Sequence, residues 1–240
     1  MKQSGFSIRA AAVGLTIGLL SCSGDLTLPS SSAAGLTLRL LQGDQQTGTV
    51  GQALDTTVVV QVSTDAGAPI AGRKVAFVAT GNDTQGFQPD TAITNGQGQA
   101  VTRWVLGTAA GDYSAEARIV ALGDSVVPVV LIHAAARADA PDTLRPVGPT
   151  DQPGHRNQQL DQPLVVMAVD RFGNPVEGAT VEWKAGGSDG QTSQATTPTG
   201  VDGTASVTWT LGDKIGVQRA TAEVLGASGS PVTFTAIVLF

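Results

Sequence analysis

Residues 65–77 read DAGAPIAGRKVAF, and residues 171–183 repeat that pattern as RFGNPVEGATVEW. A Val-rich stretch precedes each copy, and Pro69 of the first copy matches Pro175 of the second, 106 residues later. A period of about one hundred residues is too long for a solenoid repeat and is typical of whole domains in tandem. The chain therefore contains the same domain twice.

A second repeated motif follows each of these stretches. Its spacing is 105 residues, because the loops between the two motifs differ by one residue. The residues that recur are Gly98, Ala100, Trp104, Leu106, Gly107 and Gly111 in the first copy and Gly203, Ala205, Trp209, Leu211, Gly212 and Gly216 in the second.

Alternation of apolar and polar residues predicts strands in both copies. In residues 204–211 every second residue is apolar and the others are Ser or Thr, and residues 113–119, 219–224 and 232–238 show a similar alternation. A strand buries one such set and exposes the other, whereas a helix would scatter them. Turns rich in Gly, Asn, Asp and Pro separate the strands. This pattern predicts an all-β fold, with two immunoglobulin-like sandwiches of about seven strands each.

Four matched aromatic residues are predicted to form the centres of the two cores. Phe77 corresponds to Trp183, and Trp104 corresponds to Trp209. Aromatic side chains of this size bury about 150–250 Å² each. Cys22 is the only cysteine, so no disulfide can connect the two sheets of either domain.

The two motifs resemble a known bacterial module. The pattern Gly-x-Pro-[Val/Ile]-x-Gly-x-x-Val-x-[Phe/Trp], followed by Gly-x-Ala-x-x-x-Trp-x-Leu-Gly, is similar to the Ig-like Big-1 domain of invasin and intimin-type adhesins. The resemblance covers residues 36–135 and 142–240, with residues 136–141 as a linker that ends in Pro. It implies a surface protein built from stalk domains. The second copy departs from the pattern at Gln218, where the first has Tyr113.

The N-terminal segment predicts export and a lipid anchor. A basic start is followed by an apolar run over residues 10–20 that ends in Leu-Leu-Ser-Cys22, which resembles the lipobox of bacterial lipoproteins. The resemblance implies that residues 1–21 are removed and that Cys22 carries three acyl chains; an ordinary secretory signal is the alternative. Residues 22–35 are rich in Ser, Pro and Ala and are predicted to form a flexible tether.

The net charge limits the classes of molecule that this protein is expected to bind. The net charge is −6, and without Lys2 and Arg9 it becomes −8, because 12 basic residues then face 20 acidic ones. Such a balance argues against nucleic acid and against electrostatic binding to anionic lipid. The predicted location is the cell envelope, through the lipid anchor. Ser23 after the cysteine favours the outer membrane, by the rule followed in enteric bacteria.

No catalytic, cofactor or metal site is predicted. His133 is interpreted as a partly buried strand residue, and His155 as a solvated loop residue. The two lie in different domains, so they cannot form a shared metal site. Asp65, Asp170 and Asp202 lie in turns. They could hold Ca²⁺ at the domain junction only with ligands from separated loops, and turn formation is their favoured role.

Two loops are the candidate recognition sites. Residues 81–90 contain an isolated Phe87, and residues 186–203 form the longest irregular stretch. Long loops on a rigid sandwich often carry recognition, although they can also be plain connections. The sequence thus predicts a non-enzymatic adhesive or structural surface protein, or alternatively a specific glycan- or protein-binding module that uses these loops.

Overall fold

A computed structural model describes residues 30–33, 35–80, 85–120 and 127–238. Within those ranges the only helix is one 3-10 turn, Gly187–Asp189, and the other regular elements are strands, which confirms the all-β prediction. No helix in the described ranges combines the length and apolar character needed to cross a membrane. The predicted signal peptide and Cys22 lie outside the described residues, so lipidation stays a prediction.

The first module contains two five-stranded sheets. Its strands are β1 (Ser30–Ala33), β2 (Leu36–Gln42), β3 (Gln46–Thr49), β4 (Val58–Thr64), β5 (Lys74–Thr80), β6 (Gly86–Gln88), β7 (Thr91–Ile93), β8 (Gln99–Val105), β9 (Gly111–Ile119) and β10 (Val129–Arg137). The sheet orders are β1-β2-β4-β8-β6 and β3-β10-β9-β5-β7.

The second module has a similar arrangement, in which β17 and β18 together match β8 and no described strand matches β1. Its strands are β11 (Thr143–Pro146), β12 (Asp151–Gly154), β13 (Leu164–Val169), β14 (Thr180–Ala185), β15 (Gln191–Thr192), β16 (Thr196–Pro198), β17 (Thr204–Val207), β18 (Trp209–Thr210), β19 (Gly216–Glu223) and β20 (Val232–Val238). The sheet orders are β11-β13-β17, β12-β20-β19-β14-β16 and β15-β18. The parallel pair β12–β20 corresponds to β3–β10, so both modules are the same Ig-like sandwich.

Each module has its own apolar core between its sheets. Trp104 and Trp209 are completely buried, and Phe77 and Trp183 are 3% exposed. In the second module the rings of Trp183 and Phe234 lie 6.3 Å apart. Because apolar burial is the main source of stability and no disulfide contributes, these aromatic side chains carry much of the cohesion of each module.

The ends of the first module differ slightly from the prediction. Residues 30–33 fall in the predicted tether 22–35, yet they pair with β2 as an antiparallel strand. A Ser-rich segment can still satisfy its backbone groups at a sheet edge, because pairing there does not require apolar side chains. At the other end, β10 extends through Arg137, two residues into the predicted linker, because Ala136 and Arg137 pair with β3.

The face of β10 that points into the core is not the one predicted from the sequence, which had His133 partly buried. The buried residues of this strand are Val130, Ile132 and its Ala residues, so His133 lies on the outer face, with its side chain 47% exposed. Its Nδ1 atom lies 3.5 Å from Asp44 Oδ1. The prediction of a partly buried histidine is therefore wrong, and the strand is shifted by one residue relative to that reading.

Candidate functional site

The two modules meet through loops, in a contact that we call the joint. Strand register places the joint at one end of each module. In the first module, Val58 of β4 pairs with Thr102 of β8, so the turn after β4 and the loop after β8 lie at opposite ends. The loop after β8, together with Gly51, faces the second module, and we call this surface the receiving pole. The second module contributes residues 170–174, which we call the joint turn.

Asn174 connects the joint turn to the receiving pole. Its Nδ2 donates to the carbonyl oxygen of Thr108 at 2.8 Å, and its Oδ1 accepts from the backbone N–H of Ala110 at 2.8 Å. One side-chain amide thus binds both a donor and an acceptor of the same loop. Such paired contacts fix direction as well as distance.

Asp170 holds Asn174 in place. It is 2% exposed, and its Oδ1 accepts from the backbone N–H groups of Phe172 and Asn174, both at 2.9 Å. Its Oδ2 accepts from Asn174 Nδ2 at 2.9 Å and from the backbone N–H of Asp139 in the connection between modules at 3.0 Å. The carboxylate therefore ties the turn to both the asparagine and the connecting segment.

The environment of Asp170 sets its protonation state. Burial alone raises the pKa of this carboxyl group, but the hydrogen bonds from Asn174, Asp139 and Phe172 together outweigh burial and hold its pKa below the ordinary value. Those donors occupy the lone-pair positions that a cation would otherwise use. The described residues contain no group of three or more metal-ligating side chains.

Phe172 and Arg171 complete the joint. Arg171 lies over the Phe172 ring at 4.7 Å, and its guanidinium is 3.3 Å from Asp139. A Cβ atom added at Gly51 would lie 3.4 Å from Phe172 Cζ, so the ring approaches the first module where that module has no side chain. The joint combines polar and aromatic contacts.

The candidate loop 81–90 does not present Phe87 to solvent. Residues 81–84 lie outside the described ranges, and Phe87 belongs to β6 and is buried. Its ring stacks on Trp104 at 5.1 Å and lies 5.5 Å from Phe77. The prediction of Phe87 as a binding residue is therefore wrong, because an isolated aromatic beside two core aromatics is more stable in the core.

The candidate loop 186–203 is largely ordered by hydrogen bonds. It contains the 3-10 turn and strands β15 and β16, which pair with β18 and β14. The buried indole of Trp209 donates to the carbonyl oxygen of Asp189 at 2.8 Å, and Lys214 Nζ lies 3.0 Å from Asp189 Oδ1. The prediction of a long irregular stretch is wrong, although several of its side chains remain exposed.

The end of the second module away from the joint carries an exposed apolar row. Pro153, Ile237 and Val217 are in register across β12, β20 and β19. Ile237 and Val217 are 48% and 38% exposed, and the neighbouring Ile215 is 47% exposed. Alternating strand patterns did not reveal this row, because its residues come from three strands. Comparing the two copies after the strands were paired could have found it.

The first module has a different surface at the corresponding positions. Thr47, Ala135 and Asp112 are in register on β3, β10 and β9, where the second module has Pro153, Ile237 and Val217. Thr47 and Asp112 are polar and exposed. The apolar row is therefore a property of the second module and not of the shared fold.

Comparison with known proteins agrees with this architecture. Residues 157–237 match the family of bacterial Ig-like domains, group 1. The match covers most of the second module, and it confirms there the resemblance predicted from the motifs. The first module has the same motifs and strand pairing. The matched family is defined by an Ig-like domain and not by a reaction.

Solved structures of bacterial adhesins are similar to the chain. FdeC, an adhesin of Escherichia coli, has a TM-score of 0.55 and 18% identity, over 86% of this chain and 64% of its own. The chain thus spans somewhat less than two thirds of that structure, and at this identity the likeness establishes the fold. Adhesin InvE of Yersinia pseudotuberculosis has a TM-score of 0.36 and 17% identity, over 90% of this chain and 62% of its own. Invasin, described as a bacterial integrin-binding protein, has a TM-score of 0.35 and 24% identity, over 85% and 39%. No curated protein matches the sequence.

Proposed function

We propose that this chain is a lipid-anchored, non-enzymatic protein of the cell envelope in which the second module makes an adhesive contact. The observation that carries the proposal is the exposed apolar row of Pro153, Ile237 and Val217 at the end away from the joint. Exposed apolar surface costs solubility and commonly marks an interaction site. The equivalent row of the first module lacks this character, which supports a role specific to the second.

The chemistry of the row favours a protein partner over a glycan. Its side chains are aliphatic or proline, and such surfaces gain binding energy by burial against other apolar side chains. Sugars are commonly held by exposed aromatic rings and convergent polar groups. The one aromatic side chain among the large exposed apolar residues of the described ranges is Phe172, which belongs to the joint.

An exchange between modules tests the adhesive contact. Ile237→Ala with Val217→Asp gives the second module the residues that the first module carries at Ala135 and Asp112. We expect binding to cells, matrix proteins or a partner panel to fall about tenfold or more, a loss of about 1.4 kcal/mol or more. The matched control exchanges the exposed Ile93 of the first module for Thr. A folded double variant that binds as wild type, or a wild type that binds no panel member, would favour a plain spacer.

The proposed location at the cell envelope rests on lipidation of Cys22, which is tested separately from the adhesive contact. One acyl chain gives marginal membrane binding, and two or more hold a protein stably. We expect the full chain, expressed in a bacterial host, to fractionate with membranes and to carry added acyl mass, whereas Cys22→Ser is released as a soluble form. Identical soluble fractionation of both would refute the anchor and leave the adhesive contact as a separate question.

A further inference from the structure

The joint turn has a counterpart in the first module with the same backbone. In the joint turn, Asp170 N donates to Asn174 O at 2.9 Å, and the Asp170 side chain accepts from Asn174 N at 2.9 Å. In the first module, Thr64 N donates to Ala68 O at 2.8 Å, and the Thr64 hydroxyl accepts from Ala68 N at 3.1 Å. The backbone turn therefore forms with either residue pair. Only the pair Asp170 and Asn174 adds the contacts that cross to another module.

The receiving pole also has a counterpart, at the far end of the second module. Gly51 and Asn157 occupy corresponding positions, both with left-handed backbone, at φ values of 71° and 58°. Gly51 N donates to Gly107 O at 2.7 Å, and Asn157 N donates to Gly212 O at 3.2 Å. The backbone of the two poles is thus alike, but Asn157 places a side chain where Gly51 leaves room for an aromatic ring.

The loop next to each pole also carries smaller side chains in the first module than in the second. Thr108 and Ala110 offer their backbone groups to Asn174 in the first module. Sequence correspondence places Asp213 and Ile215 at those positions in the second module, with Lys214 between them. These side chains are exposed and charged or bulky, and Asn157 is hydrogen-bonded to Gly212, the residue before them. The far pole of the second module therefore lacks the small, side-chain-poor surface that the joint turn requires.

We infer that the joint turn and the receiving pole form a directional lock between the modules, in which each module carries only one half. Asn174 supplies a donor and an acceptor to one loop, Phe172 fills the space over Gly51, and Asp170 fixes both in the turn and holds the connecting segment. The lock sets the orientation of the second module, and hence of its apolar row, relative to the first. It applies equally to an adhesin and to a spacer, so it does not depend on the proposed function.

The chain supplies the substitutions that test this inference. The double variant Asp170→Thr/Asn174→Ala copies the Thr64 and Ala68 pair, which forms the same backbone turn in the first module. Residual dipolar couplings of residues 23–240, which keep β1 and leave out Cys22, report whether the two modules share one alignment tensor. We expect one shared tensor in the wild type and two different tensors in the double variant, with shorter rotational correlation times for each module. Unchanged amide spectra within the cores would show that both modules stay folded.

A second variant changes the receiving pole, on the first module's side of the lock. Gly51→Asn copies Asn157, whose left-handed backbone shows that this residue is tolerated there, and it places a side chain against Phe172. We expect the same loss of the shared tensor. The reverse exchange Asn157→Gly, at the pole that holds no joint, is the matched control and should leave the tensor unchanged. Two tensors in the wild type, or one shared tensor retained in both lock variants, would overturn the inference.

Discussion

Trp183 shows how one position of the repeat was adapted in each module. Its indole N–H donates to the hydroxyl of Thr197 at 2.8 Å, and both residues are buried. In the first module, Phe77 corresponds to Trp183, and strand register places Ala92 at the position of Thr197. These two positions therefore hold a hydrogen-bonded Trp and Thr in the second module and an apolar Phe and Ala in the first. Neither pair leaves a buried polar side-chain group without a partner, because the donor and the acceptor are both present in the second module and both absent in the first.

This pairing predicts a coupled pair of substitutions. Trp183→Phe should lower the free energy of unfolding of the second module by about 2 kcal/mol, because volume is lost and the Thr197 hydroxyl stays buried without its partner. Adding Thr197→Val should recover about 1 kcal/mol. A double-mutant cycle by urea denaturation measures the coupling. Additive losses would mean that the hydrogen bond contributes nothing to stability.

Gln218 also replaces an aromatic residue without leaving polar groups unsatisfied. It stands where the first module has Tyr113, and it is completely buried. Its side chain donates to Gly212 O and Lys214 O and accepts from Gly212 N, whereas the Tyr113 hydroxyl donates to Ala109 O at 2.7 Å. Each side chain closes the loop that follows the buried Trp. Gln218 therefore departs from the family pattern in residue type, but its side-chain amide closes this loop as the Tyr113 hydroxyl does in the first module.

The lowered pKa of Asp170 predicts that the lock weakens in acid. A carboxyl group whose pKa is lower in the locked state than in the unlocked state stabilises that state above its ordinary pKa, about 3.9, and loses the contribution as the pH falls through the lowered value. The ion pair of Arg171 and Asp139, 3.3 Å apart, faces it. Wild type should therefore lose the shared tensor as the pH falls below about 4, in spectra that still show folded modules. The Asp170→Thr/Asn174→Ala variant should show no such transition, and a wild type that keeps one tensor throughout would contradict the role of Asp170.

Among the elements, strands with a strict polar and apolar alternation were predictable and strands without it were not. In residues 204–211 the apolar set is buried as expected, because only one face could be apolar. β10 reads Val-Val-Leu-Ile-His-Ala-Ala-Ala, so either set of alternate residues could face inward. The structure selects Val130 and Ile132 and leaves Leu131 half exposed. Pairing with β9 and β3 decides that choice, and a single sequence does not contain it.

The candidate site was less predictable than the fold, for a related reason. Phe87 and loop 186–203 were singled out by local composition, yet both are ordered by distant partners such as Trp104 and Trp209. The turn with Asp170 was recognised as a turn with an acidic residue at the domain junction. Its partners Thr108 and Ala110 lie more than sixty residues earlier in the chain. Contacts through backbone groups require only that the partner residues be small, and small residues are common in loops for other reasons.

The repeated Gly-x-Ala motif predicts a glycine that cannot be replaced. Gly98 has a φ of 71°, and a Cβ atom there would collide with the carbonyl oxygen of Val62. Gly98→Ala should lower the free energy of unfolding of the first module by about 3 kcal/mol, from the left-handed backbone and the collision together. The matched control is Gly96→Ala two residues earlier, where a Cβ meets open space, with an expected change of about 0.5 kcal/mol or less. Equal losses by thermal unfolding would show that the motif glycine is not under steric constraint.

At the scale of the whole molecule, the two modules share a fold and differ in the surfaces at their ends. The joint turn, the receiving pole and the apolar row each occur in one copy and are replaced in the other, in a background of matching strands and core aromatics. The two sandwiches have the same fold, and the residues that differ at their ends distinguish one end of the pair from the other. The core determines that each module folds, and the ends determine how the modules are arranged.

The lock should depend on the short connection as well as on its contacts. Two direct hydrogen bonds between modules contribute about 1 kcal/mol each, which is far too little to hold two separate proteins together. The connection between β10 and β11 is only residues 138–142, so the two surfaces face each other at a high effective concentration. Inserting a Gly/Ser segment of about twenty residues between Ala140 and Pro141 lowers that concentration and leaves every contact residue in place. We expect two alignment tensors after this insertion and one after the same insertion at Gly96. A shared tensor in the first case would mean that the joint holds by its contacts alone.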